Sequence, residues 1–216
     1  MRTAHTGPEG PPHWSASQRA IEAVNDERDR GGGLVIIEGR RGAGRTSILH
    51  NLYRRFRDDA RYVAVERWVR DLPLALVERL IEVTLPSLHT NLFPELTATL
   101  NGPAAELGGA FIEACQQVLA DWRASDNLVV LVDDIHLADA HSQQLISYLA
   151  RRLDNTGIVM VVSVPSPAPS IDHDLDGLLH NPISSRVAIT PLEHSAIQQL
   201  AHSMGVHGLD ATAVTA

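Results

Sequence analysis

The stretch Leu34-Val35-Ile36-Ile37-Glu38-Gly39-Arg40-Arg41-Gly42-Ala43-Gly44-Arg45-Thr46-Ser47 sets the first expectation for the fold. Its four consecutive apolar residues, 34 to 37, predict a buried strand. The glycines at 39, 42 and 44 then predict a sharp turn. Apolar residues at helical spacing from Ile48 to Phe56 predict a helix directly after it. A glycine-rich turn between a strand and a helix is suited to surrounding an anion with backbone N–H groups.

The spacing of this turn is that of a P-loop, G-x-x-x-x-G-[K]-[ST], with Arg45 at the position of the lysine. The turn and the positive end of the following helix would bind phosphates, and the Thr46 hydroxyl would bind Mg²⁺. Taken alone, the motif leaves open a glycine-rich turn without a ligand, an alternative that Arg45 favours. The predicted nucleotide-binding residues are Gly39, Arg40, Arg41, Gly42, Ala43, Gly44, Arg45, Thr46 and Ser47.

A second candidate site follows the apolar run Leu128–Val132, which ends in Asp133 and Asp134. This is the pattern of a Walker B strand, which delivers a carboxylate to the edge of the sheet. We predict that Asp133 binds Mg²⁺, together with Thr46, and that Asp134 is the catalytic residue that polarises a water. Two acids at the end of a strand also fit a solvated turn, but their combination with the P-loop predicts a nucleotide site.

The rest of the chain alternates between strand and helix patterns. Strands are predicted at 34–37, 62–65, 128–132, 158–164 and 186–189. Helices are predicted from an N-cap at Ser15 or Ser17, then at 48–56, 71–85, 103–122, 142–153 and 194–204. This alternation predicts an α/β fold with a mostly parallel sheet and helices on both faces. Together with the two motifs, it predicts a P-loop NTPase three-layer sandwich with a five-stranded sheet. The expected organisation is a flexible leader over 1–14, one domain over 15–205 and an irregular tail over 206–216.

The composition excludes several other classes of protein. Of the 216 residues, 44% are hydrophobic and 20% charged, which excludes a disordered or collagen-like chain. The 18 basic and 26 acidic residues give a net charge of −8, which argues against a duplex-binding surface. The lone Cys115 excludes an intramolecular disulfide and fits a reducing compartment. With neither a secretory signal nor an apolar run long enough for a membrane span, we expect a soluble, cytoplasmic protein.

Other clusters of charged residues and histidines are weaker indications of function. All 18 basic residues are arginines, so no single arginine is unusual against that background. The run Arg54, Arg55 and Arg57 is better explained as a solvated helix face than as a nucleic-acid site. Asp133, His136, Asp139 and His141 form a strand-to-helix junction, which we favour over a transition-metal cluster.

The stretch Asp133-Asp134-Ile135-His136-Leu137-Ala138-Asp139-Ala140-His141-Ser142, running on to Tyr148–Leu153, resembles a "DDxHxAD…S…L…L.RRL" segment. That segment belongs to the ATP-binding module of large LuxR-type bacterial transcriptional regulators, within the STAND class of AAA-like signalling NTPases. The stretch Gly33–Leu49 is similar to the family's strand and P-loop, and Ile189–Leu192 resembles its "L-x-P-L" strand end. The resemblance covers roughly residues 15 to 205.

The departures from the family pattern modify what the resemblance implies. The P-loop lysine is Arg45, the Gly-Arg-Glu box is replaced by His13–Ser17, and the arginine after the fourth strand aligns near Pro165. The resemblance implies a signalling or regulatory module that binds ATP with Mg²⁺, and Arg45 reduces this to weak binding and slow ATP hydrolysis.

The resemblance also implies a partner protein or self-association. We expect no direct DNA binding by this chain, because the family's helix-turn-helix region has no counterpart in it. Two alternatives stay open, a degenerate P-loop interaction module that hydrolyses nothing and a truncated regulator fragment.

Overall fold

The computed structural model describes residues 12–67, 72–86, 94, 96–98, 104–125, 127–167, 177–179 and 184–190. The helices in this part of the chain are α1 (Pro12–Asp29), α2 (Arg45–Arg55), α3 (Ala75–Thr84), α4 (Ala104–Arg123) and α5 (Ala140–Ala150). The strands are β1 (Gly33–Gly39), β2 (Ala60–Ala64), β3 (Val129–Asp133), β4 (Val159–Pro165) and β5 (Ser185–Ile189). A single turn of 3₁₀ helix, Ile135–Leu137, lies between β3 and α5.

The five strands form one parallel sheet in the order β2-β3-β4-β1-β5. Alternate residues of β1 enter two separate cores, with Leu34 and Ile36 on one face and Val35 and Ile37 on the other. Helices α3, α4 and α5 cover the first face, and α1 and α2 cover the second. The predicted α/β sandwich with a five-stranded parallel sheet is therefore confirmed.

The first helix begins earlier than the sequence indicated. Because α1 starts at Pro12, residues 12–14 are helical, and an N-cap at Ser15 or Ser17 is wrong. A proline is well tolerated in the first turn of a helix, where its missing N–H has no intrahelical partner to lose. Residues 1–11, the predicted helix at 194–204 and the predicted tail lie outside the described residues.

The other element boundaries shift by a few residues. Helix α3 is shorter than the predicted 71–85, and α5 ends at Ala150 instead of residue 153. Cys115 lies in the core on α4, where burial raises the pKa of its thiol to about 12. No described helix is long and apolar enough to cross a bilayer.

Candidate functional site

The turn after β1 leads directly into α2 at the carboxyl edge of the sheet. Gly42 and Gly44 have φ angles of 79° and 98°, which an L side chain rarely adopts. A Cβ atom at either position would meet nothing within 4 Å, so backbone conformation alone demands glycine there. Gly44 is the N-cap residue of α2, and no side chain caps this helix. The first-turn N–H groups of α2 therefore remain available to a ligand.

Arg45 joins the two predicted motifs. Its Nη1 donates to the carbonyl oxygens of Gly39 (2.6 Å) and Arg40 (3.1 Å), inside the loop. Its Nη2 donates to Asp134 Oδ1 at 2.8 Å, forming an ion pair with the acid after β3. The Arg45 side chain is only 10% exposed, and its Nε is buried without a hydrogen-bond partner. A buried donor left without an acceptor is uncommon and fits a place where a ligand oxygen belongs.

Asp133 is the last residue of β3, and the residue is almost completely buried, with 3% of its surface exposed. The Ser163 hydroxyl donates to Oδ1 at 2.5 Å, and the Tyr62 hydroxyl donates to Oδ2 at 3.0 Å. Each carboxylate oxygen therefore accepts a hydrogen bond from a hydroxyl on a neighbouring strand. Burial, and then the charge and hydrogen bond of Asp133, raise the pKa of Tyr62 above its usual value, so the phenol stays protonated and donates.

Asp134 turns away from the strand in the left-handed conformation, with φ 53° and ψ 46°. Its N–H donates to Ser163 Oγ at 2.8 Å, which fixes the backbone where the strand ends. The His136 Nδ1 lies 3.8 Å from the same Asp134 oxygen that Arg45 contacts. The Asp134 side chain is 31% exposed, so it borders solvent while its neighbour Asp133 does not.

The remaining predicted residues lie around the loop. Arg40 and Arg41 are exposed on the turn, and Thr46 and Ser47 are exposed in the first turn of α2. A cavity of about 330 Å³ opens beside the loop between the ends of β1, β4 and β5. Its lining comprises Glu38, Gly39, Arg40, Ser166, Pro167, Ala188, Ile189 and Thr190.

Sequence reasoning missed the two hydroxyl groups that donate hydrogen bonds to Asp133. Tyr62 lies on β2 and Ser163 on β4, the strands that flank β3 in the sheet. The sequence identifies both residues only as members of strands, because it does not show which strands are neighbours in the sheet. A strand order placing β3 between β2 and β4 would have been the signal that puts these side chains beside Asp133.

Residues 16–162 match the family described as AAA ATPase domain, a span that includes the loop, α2 and both acids. The chain belongs to the AAA ATPase domain family. Membership in this AAA family implies nucleotide binding, usually with Mg²⁺. Among curated proteins, no sequence match was found.

Several solved structures share the fold of this AAA domain at low sequence identity. A DNA replication initiation factor has 12% identity and a TM-score of 0.50, over 92% of this chain and 52% of that one. The Drosophila ORC bound to DNA has 14% identity and a TM-score of 0.51, over 96% of this chain and 49% of that one. Domain III of the Thermotoga maritima replication initiation protein DnaA has 13% identity and a TM-score of 0.50, over 94% of this chain and 74% of that one.

The chain spans about half the length of the first two of these structures' chains. At such identities the likeness concerns the fold alone. In the described residues, no three His, Cys, Asp or Glu side chains come together as ligands for a metal ion.

Proposed function

We propose that this AAA domain is the ATP-binding module of a cytoplasmic signalling or transcription-regulating protein, similar to the LuxR-type regulators. The observation that carries the proposal is the contact between Arg45 in the glycine loop and Asp134 at the end of β3. It brings the predicted P-loop and the predicted Walker B strand to one edge of the sheet. In parallel α/β sheets this edge is where ligands bind.

The loop provides the anion site. The N–H groups at the uncapped start of α2 and the positive end of the helix dipole attract phosphate oxygens. The buried Arg45 Nε supplies one further donor that lacks an acceptor. The cavity beside Gly39 and Arg40 adjoins the loop, so the nucleoside of a nucleotide bound there has space next to its phosphates.

The residues present also fit Mg²⁺, which prefers oxygen ligands. The carboxylate of Asp133 has about four lone-pair positions, and the two hydroxyls occupy only two of them. Thr46 adds an exposed hydroxyl at the start of α2. When bound, Mg²⁺ would neutralise phosphate charge. Asp133 and Thr46 would hold it.

Slow hydrolysis follows from the same Arg45 contacts. Asp134 is the acid placed to orient a water, but its Oδ1 is taken by the Arg45 guanidinium. While this ion pair persists, Asp134 faces the loop rather than an attacking water. Catalysis of phosphoryl transfer depends on such positioning, so we propose weak ATP binding and slow turnover.

The proposal extends to partners. A module of this kind acts through a partner protein or through self-association, and it would not bind DNA itself. The resemblance of Asp133–Leu153 to the regulator segment supports the assignment to signalling, since this stretch comprises the last residue of β3, the 3₁₀ turn and α5.

Thermal unfolding with and without ATP tests the binding proposal. A ligand at 100 times its Kd stabilises a protein by about 2.7 kcal/mol. For a chain of this size, 1 kcal/mol corresponds to about 2–4 °C in Tm. We therefore expect saturating ATP with Mg²⁺ to raise the Tm by about 5–10 °C.

Two arginine variants sharpen this experiment. Arg45→Ala should lose most of the ATP-dependent shift, whereas Arg54→Ala, a change on the exposed face of α2 outside the loop, should retain it. An unchanged Tm of the original chain at millimolar ATP and ADP would favour the interaction module without nucleotide.

A further inference from the structure

The carboxylate of Asp133 is held on both sides. Ser163 Oγ donates to Oδ1, and Tyr62 Oη donates to Oδ2. The two donors come from opposite neighbours of β3, Ser163 from β4 and Tyr62 from β2. A carboxylate bonded at both oxygens cannot rotate freely about its Cβ–Cγ bond. Its orientation relative to the sheet edge is therefore fixed before any ligand arrives.

Tyr62 also contacts the helix that starts at the glycine loop. Its ring centroid lies 5.0 Å from that of His50 and 6.3 Å from that of Tyr53, both on α2. His50 is four residues after Thr46, so the two share one face of α2. Tyr62 thus lies between the element that carries Asp133 and the element that carries Thr46.

We propose that Tyr62 is a positioning residue that orients the Asp133 carboxylate for the Mg²⁺ of a bound nucleotide. The inference rests on the proposed nucleotide-binding function and adds to it a residue outside both sequence motifs. It concerns the hydroxyl alone, because the ring packing against His50 and Tyr53 would be the same for phenylalanine.

The chemistry of the hydroxyl supports this role over simple packing. Tyr62 is partly buried, and a hydroxyl removed from water costs free energy unless it is hydrogen-bonded, so a phenylalanine would be the simpler choice for an aromatic contact alone. The acceptor of the Tyr62 hydroxyl is the acid predicted to bind the metal. A hydrogen bond to a charged group is shorter and stronger than one between neutral groups.

The test measures the Mg²⁺ dependence of nucleotide binding rather than hydrolysis. The full chain is titrated with mant-ATP, followed by fluorescence anisotropy, over a series of MgCl₂ concentrations and separately in EDTA. For Tyr62→Phe, we expect the MgCl₂ concentration at half-maximal binding to rise by about three- to tenfold. The mant-ATP affinity in EDTA should stay within about twofold of the original chain.

Tyr53→Phe is the matched control, because it removes the same hydroxyl from a neighbouring ring that does not contact Asp133 through it. It should leave the Mg²⁺ titration unchanged. An unchanged titration for Tyr62→Phe would overturn the inference while leaving nucleotide binding intact. So would an equal loss of affinity in EDTA and in MgCl₂, since that result indicates a structural role.

Two further results complete the test. If the original chain binds no mant-ATP under either condition, the proposed function fails and this inference fails with it. Should Tyr62→Phe unfold, Ser163→Ala takes its place, because it removes the hydroxyl from the other Asp133 oxygen. The same Mg²⁺-specific rise is then expected, and its absence in a folded Ser163→Ala chain would overturn the inference.

Discussion

Arg45 has two terminal nitrogens, and the structure uses them on two different parts of the site. Nη1 contacts two carbonyl oxygens of the glycine loop, and Nη2 contacts the carboxylate of Asp134. A lysine has a single nitrogen on a flexible stem and cannot reproduce this planar fork. The arginine therefore links the loop to the acid in a way that the usual P-loop residue would not.

Arg45→Lys is expected to raise both ATP affinity and turnover, each by about tenfold or more. Because the smaller ammonium would not hold Asp134 in this ion pair, Asp134 could orient a water and the loop could bind phosphate. Both changes lower the activation barrier of ATP hydrolysis. Steady-state phosphate release and ATP titration measure the two effects. Asp134→Asn in the Arg45→Lys background should abolish the gained turnover, and unchanged rates in Arg45→Lys would contradict a restraining role for this ion pair.

Sequence reasoning at this scale found the residues that lie within contiguous motifs. The glycines, Arg45, Asp133 and Asp134 follow fixed spacings, and the structure places them at one sheet edge. Whether they bind nucleotide and metal stays a prediction. Tyr62 and Ser163 belong to no motif, because their role depends on which strands flank β3.

Among the elements, α5 shows how a single capping residue stabilises the fold. Asp139 is the N-cap of α5, and its Oδ1 accepts from the N–H of Ser142 at 3.0 Å. The same oxygen accepts from the N–H of Leu74 at 3.0 Å, just before α3. Leu74 has a φ of 62°, a conformation that costs free energy and needs such support. One buried carboxylate thus joins the starts of two helices.

Asp139→Ala is expected to lower the free energy of unfolding by about 2 kcal/mol. The change removes a helix cap, worth about 1 kcal/mol, and leaves the buried Leu74 N–H without an acceptor. Chemical denaturation followed by circular dichroism measures the loss. Asp154→Ala, at an exposed position, should have little effect, and equal stabilities of the two variants would contradict the capping role.

The start of α1 and the span of α3 differ from expectation for a physical reason. Local patterns mark where a helix is favourable, but packing decides how far it continues. In α1, Ala16, Ala20 and Val24 are buried against the sheet, and the helix extends from them back to Pro12. Strand β3, in contrast, is an uninterrupted apolar run, and its predicted and observed bounds differ by only one residue.

Over the whole molecule, the charge distribution bears on what the chain binds. The net charge is −8, and several arginines are already paired with carboxylates of the chain. These are Arg28, Arg30, Arg45, Arg79 and Arg186. Binding to duplex DNA depends on cationic side chains that neutralise phosphates, so we expect this chain not to bind it.

A gel-shift titration with duplex DNA at physiological salt should therefore show no complex at micromolar protein. Lowering the salt strengthens any electrostatic attraction and gives the most sensitive condition for detecting residual binding. A submicromolar complex that resists competitor DNA at physiological salt would show that the chain itself recognises a duplex.

The order of the strands has a consequence for how the chain reaches its folded state. β1 carries the glycine loop, yet its partners are β4 and β5, with Gly33 paired to Val159 and Val35 to Ser185. During synthesis, at about 5–20 residues per second, β1 has to wait several seconds for either partner to be made. Contacts this distant in sequence form slowly, because the intervening chain loses conformational entropy before the hydrogen bonds of the paired strands stabilise the contact. The apolar strand that supports the loop is thus paired only after β4 or β5 has been made, and until then its apolar residues are exposed to association with other chains.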